Sequence, residues 1–513
     1  MSPSSPTPDA SGRDPGLSRS AWLLFAAFLV AFSAAVPRYA WNEASRAALV
    51  AAVVEQGTFA IDAYANGTWN TGDRAVFRGH TYSDKIIGVS LLALPGYAAA
   101  KLVAGGHDRP PPTWLAFLSM RLFAETLPGA AGAVLLFLLL VRLGTPEWSA
   151  VLATVFSIVG TMWLGYGTTL YPYVPGMTAI LAALHLTLFP PRRSSPVLVS
   201  LLVGALLGGA LILDYVFGIA AALLGFARLW LAASAGRRDT GGRQVGVALG
   251  HGALVAAGAL PFLALFAAYC HAIFGEFSIP YRFLENRLFR EGMARGVMGI
   301  AAPSLDALWF ITVHPFRGIF FWSPVVAVAW WGCVARARRG DPAARVAGWL
   351  GLVALPAYLL FNSAYYMWWG GFASGPRFVL PALPLVLPGL GALARDSAEG
   401  RGRAGWVIAR AAGWISVALC IPIALHGVNA PQVWSDERML GVKAGMSVPL
   451  PHLYRLRDFY SGTADLLSWP VVSFVAPRWA GYAAAAAAAL AFSLLVLAAL
   501  RATRPRPAGS RPR

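Results

Sequence analysis

Acids and a lysine spaced along one polar segment are the side chains that could take up a proton and hold an anion. Glu43 stands near the head of NEASRAALVAAVVEQG (42–57), and GHTYSDK (79–85) supplies His80, Tyr82, Asp84 and Lys85, with Asp62 and Asp73 between the two stretches. A lysine held at headgroup depth is a natural partner for a lipid phosphate. Each residue also has a plainer reading. Glu43 fits an acid in the first turn of a helix, stabilised by the helix dipole, and the segment as a whole could simply be hydrated. Further along come Asp214 in LILDYVFG (211–218), Arg317 in HPFRGIFFWSPV (314–325), and Trp368, Trp369 and Arg377 in YYMWWGGFASGPRFVLPALPL (365–385). An ionisable residue at membrane depth, such as Asp214, is a functional candidate by default. Tryptophans at a helix end fit an interfacial belt, and an end-of-helix arginine can snorkel.

The elements that position these residues follow from composition. The chain has 513 residues, of which 57% are hydrophobic and 12% charged, a balance that points to a polytopic membrane protein. A span needs roughly 20 apolar residues. About twelve such runs are present, near 21–36, 119–141, 147–165, 173–189, 196–212, 214–232, 245–270, 317–335, 344–361, 378–394, 408–427 and 481–500. The backbone must satisfy itself in lipid, so these are expected to be helices. The run 86–104 is almost long enough to join them. Arginine placement argues against it: the short segments at 190–195, 228–244, 334–346 and 395–407 and the tail from 501 are basic. All face the cytoplasm if 86–104 lies beside the membrane and the N-terminus is inside.

Outer loops are then expected at about 37–118, 271–316 and 428–480, with a shorter one at 362–377. A polar tail at 1–20 and a basic tail at 501–513 lie inside, and both termini are cytoplasmic. Ala47, Leu49, Val50, Val53 and Val54 predict a short amphipathic helix at the interface. The net charge of +18 is largely accounted for by topological anchors, so nucleic acid is not an expected partner. The three cysteines suggest no disulfide framework.

NEASRAALVAAVVEQG, GHTYSDKIIGVSLLALPGY and MRLFAETLPGAAGAVLLFLLLVRLG together resemble the opening of the GT-C membrane glycosyltransferases. They are similar to the aminoarabinose and related polyprenyl-phosphate sugar transferases, and more distantly to protein O-mannosyltransferases (glycosyltransferase family 39-like). The resemblance covers about residues 20–395, taken as a catalytic module of 21–395 followed by C-terminal helices in 396–500. It implies an all-α, GT-C-like polytopic fold. It implies that Glu43, with Asp62 as the alternative, is the base, and that Tyr82, Asp84 and Lys85 hold the donor phosphate with Arg121 at the start of the next helix. Where the family has an Asp-Glu pair, this chain has Asn42-Glu43. His80, Asp214, Trp368 and Trp369 are supporting candidates, and Arg317 and Arg377 are further phosphate partners.

The activity implied is transfer of a sugar from a polyprenyl-phosphate donor to a lipid, glycan or protein acceptor, on the outer face of a bacterial inner membrane. No nucleotide-binding motif is present, and neither cofactor nor metal is expected. A transporter or flippase shares the twelve-helix plan, and a polymerase or ligase of surface glycans shares the lipid-linked chemistry. Charges are sparse mid-span and dense in the outer loops, which favours an enzyme over a transporter.

Overall fold

The computed structural model describes residues 18–34, 39–106, 109–235, 241–339, 341–371, 373–428 and 478–503. The expected outer loop 428–480 and the two tails lie almost wholly outside the described residues. The fold is that of a polytopic helical membrane protein. Among the described residues, eight helices are long and apolar enough to cross a membrane: Thr113–Arg142, Pro196–Leu213, Tyr215–Ser234, Gln244–Phe274, Pro342–Ala364, Arg377–Ala398, Arg403–Leu425 and Ala483–Ala502. The other expected spans fall on shorter apolar helices, Arg19–Ser33, Glu147–Val159, Tyr173–Leu188 and Pro324–Ala337. Gly88–Val103 is a helix of 16 residues.

Several expected spans are broken, for local reasons. The segment 147–165 splits at Gly160, where Thr161 caps a new short helix by accepting the Trp163 N–H. Residues 377–398 run as a 3-10 turn, a short helix and a longer one, punctuated by Pro381, Pro384 and Pro388, none of which can donate a backbone bond. Within Thr113–Arg142, residues Leu122–Thr126 form a π-helical turn.

Two apolar clusters make the core. The larger joins most of the spans. The smaller is built on Trp41–Gln56 and takes in Ile61, Trp69, Val89, Phe117 and Cys270. Here the expectation of an amphipathic interfacial helix is corrected: Glu43 through Ala52 are all buried. Its alanines (44, 47, 48, 51 and 52) present so little bulk that neighbours close in on every side.

The helical expectation also passed over a hairpin. Arg74–Phe77 pairs antiparallel with His80–Ser83, in the register Arg74↔Ser83 and Phe77↔His80. Arg78 and Gly79 turn it with φ of 50° and 84°, the left-handed pair that a tight hairpin turn requires. The Ile61 N–H donates to the Thr81 carbonyl at 2.8 Å and fastens the hairpin to the rest of the loop.

Close helix contacts depend on missing side chains. A Cβ at Gly389 would lie 1.9 Å from the Ala329 carbonyl oxygen, so Pro324–Ala337 and Gly389–Ala398 touch backbone to backbone. Gly389→Ala is therefore expected to cost about 1–3 kcal/mol by forcing these helices apart. Thermal unfolding of purified protein in detergent checks this, and an unchanged midpoint would show that the contact is not tight.

Pro342–Ala364, at 23 residues, spans about 34 Å and connects two contrasting ends. Near its start, Arg339 pairs with Asp396 at 2.5 Å and Arg395 with Glu399 at 2.8 Å. Buried Arg336 donates to the Pro388 carbonyl at 2.8 Å. Near its finish lies the candidate site.

Candidate functional site

The start of Trp41–Gln56, the loop before Gly88–Val103, the turn ahead of Tyr173–Leu188, and both ends of the 361–378 stretch enclose a cavity of about 280 Å³. Its charged lining consists of Arg46, Asp73, Asp84, Lys85, Asp214 and Arg377. Of the residues singled out by sequence, the structure thus brings Asp84, Lys85, Asp214 and Arg377 together.

Lys85 is the centre of the charge arrangement. Its Nζ lies 2.8 Å from Asp73 Oδ2 and 3.1 Å from Asp84 Oδ2, with side-chain exposures of 10% for Lys85, 13% for Asp73 and 2% for Asp84. Asp84 Oδ1 is buried without a hydrogen-bond partner. Burial, opposed by the Lys85 ammonium and reinforced by Asp73, pushes the Asp84 carboxyl up to about 6. Hydroxyls set the backbone. Ser83 Oγ accepts the Lys85 N–H at 3.2 Å and shares a 2.8 Å hydrogen bond with Ser45 Oγ. The Asp73 N–H donates to Thr71 Oγ1, whose own hydroxyl donates to the Trp41 carbonyl at 2.8 Å. Both the lysine and its partner acid are in this way tied to Trp41–Gln56.

Across the cavity, the Arg377 guanidinium lies 5.5 Å from the Tyr171 ring centroid and 4.8 Å from that of Phe378. Gly370 has φ of 77°, and a Cβ there would sit 3.0 Å from Arg377 Cγ, so the glycine gives the arginine its room. Arg46 donates to the Asn42 carbonyl at 3.0 Å and also bonds the Asn42 side chain. Asp214 Oδ1 accepts the Val216 N–H at 3.1 Å, and burial raises its carboxyl above the usual range.

The remaining candidates do not line the cavity. Glu43 is fully buried and accepts the Ala40 N–H at 3.0 Å, the capping-box bond of a third helical position. It is Asn42, one residue earlier, that faces the cavity. Asp62 accepts the Thr81 N–H at 2.8 Å and meets His80 at 3.2 Å on the exposed side of the hairpin. Although some burial opposes it, these two contacts hold Asp62 below its usual carboxyl range. Tyr82 packs on Phe274. Arg121, buried, donates to the Phe32 carbonyl at 2.7 Å. Trp368 stacks on Phe310 with centroids 5.5 Å apart. Arg317 is buried and donates to the carbonyls of Trp369 (3.0 Å) and Gly371 (3.2 Å), so it fixes the turn whose Gly370 and Gly371 form cavity wall.

Sequence reasoning missed Arg46, Asp73 as a site residue, and the tyrosines 171, 173, 281, 365 and 366. Arg46 lies four residues after Asn42, the spacing that puts both on one helix face, and that signal was available. The tyrosines of GYGTTLYPYVPG (165–176) carry no charge, and nothing in their spacing marks them as cavity residues.

Among the described residues, no group of three or more His, Cys, Asp or Glu side chains is placed to hold a metal ion. No protein-family model matches the chain, and no curated protein matches it. In structure it is similar to ArnT from Cupriavidus metallidurans, both bound to undecaprenyl phosphate and in the apo state. Those likenesses have a TM-score of 0.47 each, 14% and 15% identity, and cover 94% of this chain against 75% and 76% of the other. It is also similar to the Archaeoglobus fulgidus oligosaccharyltransferase in the apo form, with a TM-score of 0.38, 13% identity, and coverage of 92% of this chain and 64% of the other.

Proposed function

We propose that this protein is a membrane glycosyltransferase that moves a sugar from a polyprenyl-phosphate donor to an acceptor, in the cavity around Lys85. The observation that carries the reading is a largely buried lysine facing a cavity that also holds Arg46 and Arg377. Three cations around one space suit a phosphate leaving group, whose charge grows as the glycosidic bond breaks. The lining also includes apolar Leu284, Met293, Ile300 and Phe361, which suit the first units of a polyprenyl tail. The motif around Lys85, which resembles the donor-phosphate segment of GT-C enzymes, supports the same reading. The site is assigned to the outer face of a bacterial inner membrane, with both termini cytoplasmic, following the arginine pattern.

For the proton of the acceptor we assign Asp84 in preference to Glu43 and Asp62. It lines the cavity, and its acidity lies close to neutral, where a base combines availability with strength. Arg317 acts from behind the cavity wall, through the 369–371 turn.

Purified protein supplied with polyprenyl-phosphate-linked sugars and envelope acceptors should release polyprenyl phosphate. The rate should rise with pH through about 6, because Asp84 must be ionised to accept the proton. Asp84→Asn should lower it by roughly 10²–10⁴-fold. Full activity in Asp84→Asn together with a dead Glu43→Gln would return the base to Glu43. No release from any donor by folded protein would reject the glycosyltransferase reading.

A further inference from the structure

We propose that Asp73 is a built-in competitor for the donor phosphate: its carboxylate and the phosphate take turns on Lys85. The inference rests on the functional reading above, and it concerns a residue to which that reading gives no part.

The geometry separates the two acids of the pair. Asp84 is Lys85's immediate neighbour in the chain, is 2% exposed, and lines the cavity. Asp73 comes from before the hairpin, is 13% exposed, and makes the shorter contact at 2.8 Å. Lysine has three N–H donors and no acceptor, so a third partner is chemically possible. An anion on that third donor would nonetheless lie beside the Asp73 carboxylate, and like charges in a confined, poorly solvated space repel strongly. One of the two anions must give way. Asp73 can do so by side-chain rotation alone, since Thr71 and Trp41 hold only its backbone. Lys85 does not retreat in its stead, because that would leave the Asp84 carboxylate, 3.1 Å away and only 2% exposed, without its counter-charge.

This gives a transferase a means of releasing its product. Polyprenyl phosphate carries more charge once the sugar has left, and would otherwise bind the cations more tightly than the donor does. A carboxylate waiting at 2.8 Å limits that gain and returns to the lysine as the product departs.

The test is equilibrium binding of a polyprenyl monophosphate to the full-length protein in nanodiscs. Asp73→Asn keeps the shape and removes the competing charge, and it should bind about tenfold more tightly, the scale of one hydrogen bond to a charged group. Asp73→Glu should restore weak binding, and the phosphate-free polyprenol should bind all three proteins alike. In steady state Asp73→Asn should lower KM and kcat together, which loss of structure would not do. Inorganic phosphate, titrated separately, should show the same tightening if the headgroup alone is the competitor. Unchanged or weaker binding by Asp73→Asn of normal thermal stability would overturn the competition while leaving the transferase reading intact. Failure of the unaltered protein to bind any polyprenyl monophosphate would overturn both.

Discussion

Lys85→Ala is expected to be inactive and measurably less stable, with the two losses following different pH profiles. The ammonium links the buried Asp84 carboxylate to that of the partly exposed Asp73. Removing one partner of a buried charge pair typically costs about 3–5 kcal/mol, because the remaining charge is left uncompensated. Donor affinity should fall by about ten- to a hundredfold from loss of the charged hydrogen bond. The stability defect has a definite sign with pH. Asp84 already has a folded value above its unfolded one, and loss of the cation moves it further in that direction. Its ionisation therefore opposes folding. The variant should be nearest to normal below about pH 6, where Asp84 is protonated in both proteins, and progressively weaker relative to normal as pH rises beyond it. Donor binding should not recover at low pH, since the cation is absent at every pH. Lys85→Arg should rescue stability more than binding, because a planar fork replaces a point charge. Thermal melts from pH 4 to 8 beside donor-binding curves provide the check. A defect in stability independent of pH would refute the charge explanation.

Arg317→Ala should produce the larger structural failure, although Arg317 does not line the cavity. Two carbonyls, those of Trp369 and Gly371, lose a charged donor inside the protein. At about 1.5–3 kcal/mol for each such bond, the cost is about 3–6 kcal/mol. The 369–371 turn carries Gly370, against which Arg377 lies, so donor affinity should fall with stability. Arg317→Lys, which keeps the charge but not the fork, should recover only part of either. Normal stability with lost donor binding in Arg317→Ala would instead mean that this arginine meets the phosphate directly.

The distribution of helices was legible because hydropathy over some 20 residues is a strong signal and depends on nothing beyond the segment itself. The same rule separated 196–212 from 214–232, within a residue of the observed break between Leu213 and Tyr215. What escaped was decided by contacts distant in sequence. The helix 41–56 reads as amphipathic by itself, yet it is buried because Gly88–Val103 and the hairpin strand His80–Ser83 pack against it. The hairpin's four-residue strands are too short for periodicity to register. In the site, Lys85 and Asp84 were visible as neighbours in a motif. Asp73 looked like one acid among several, and only the hairpin register folds it back onto the lysine. Glu43 was singled out for its position at the head of a helix, and a bond of just that local kind occupies it.

The lining of the cavity contains three basic side chains, Arg46, Lys85 and Arg377, and three acidic ones, Asp73, Asp84 and Asp214. Such a room is neutral when seen from outside and sharply polar within. Its field cancels over a few ångströms and is further damped by salt, so it exerts little pull on an anion arriving through water. A substrate held in the bilayer needs no such pull. It arrives by lateral diffusion, already at the right depth, and samples the charges only after its headgroup is inside. Balanced charge would thus favour a membrane-borne phosphate over the far more abundant soluble ones, with selection made by the route of entry and not by strength of attraction.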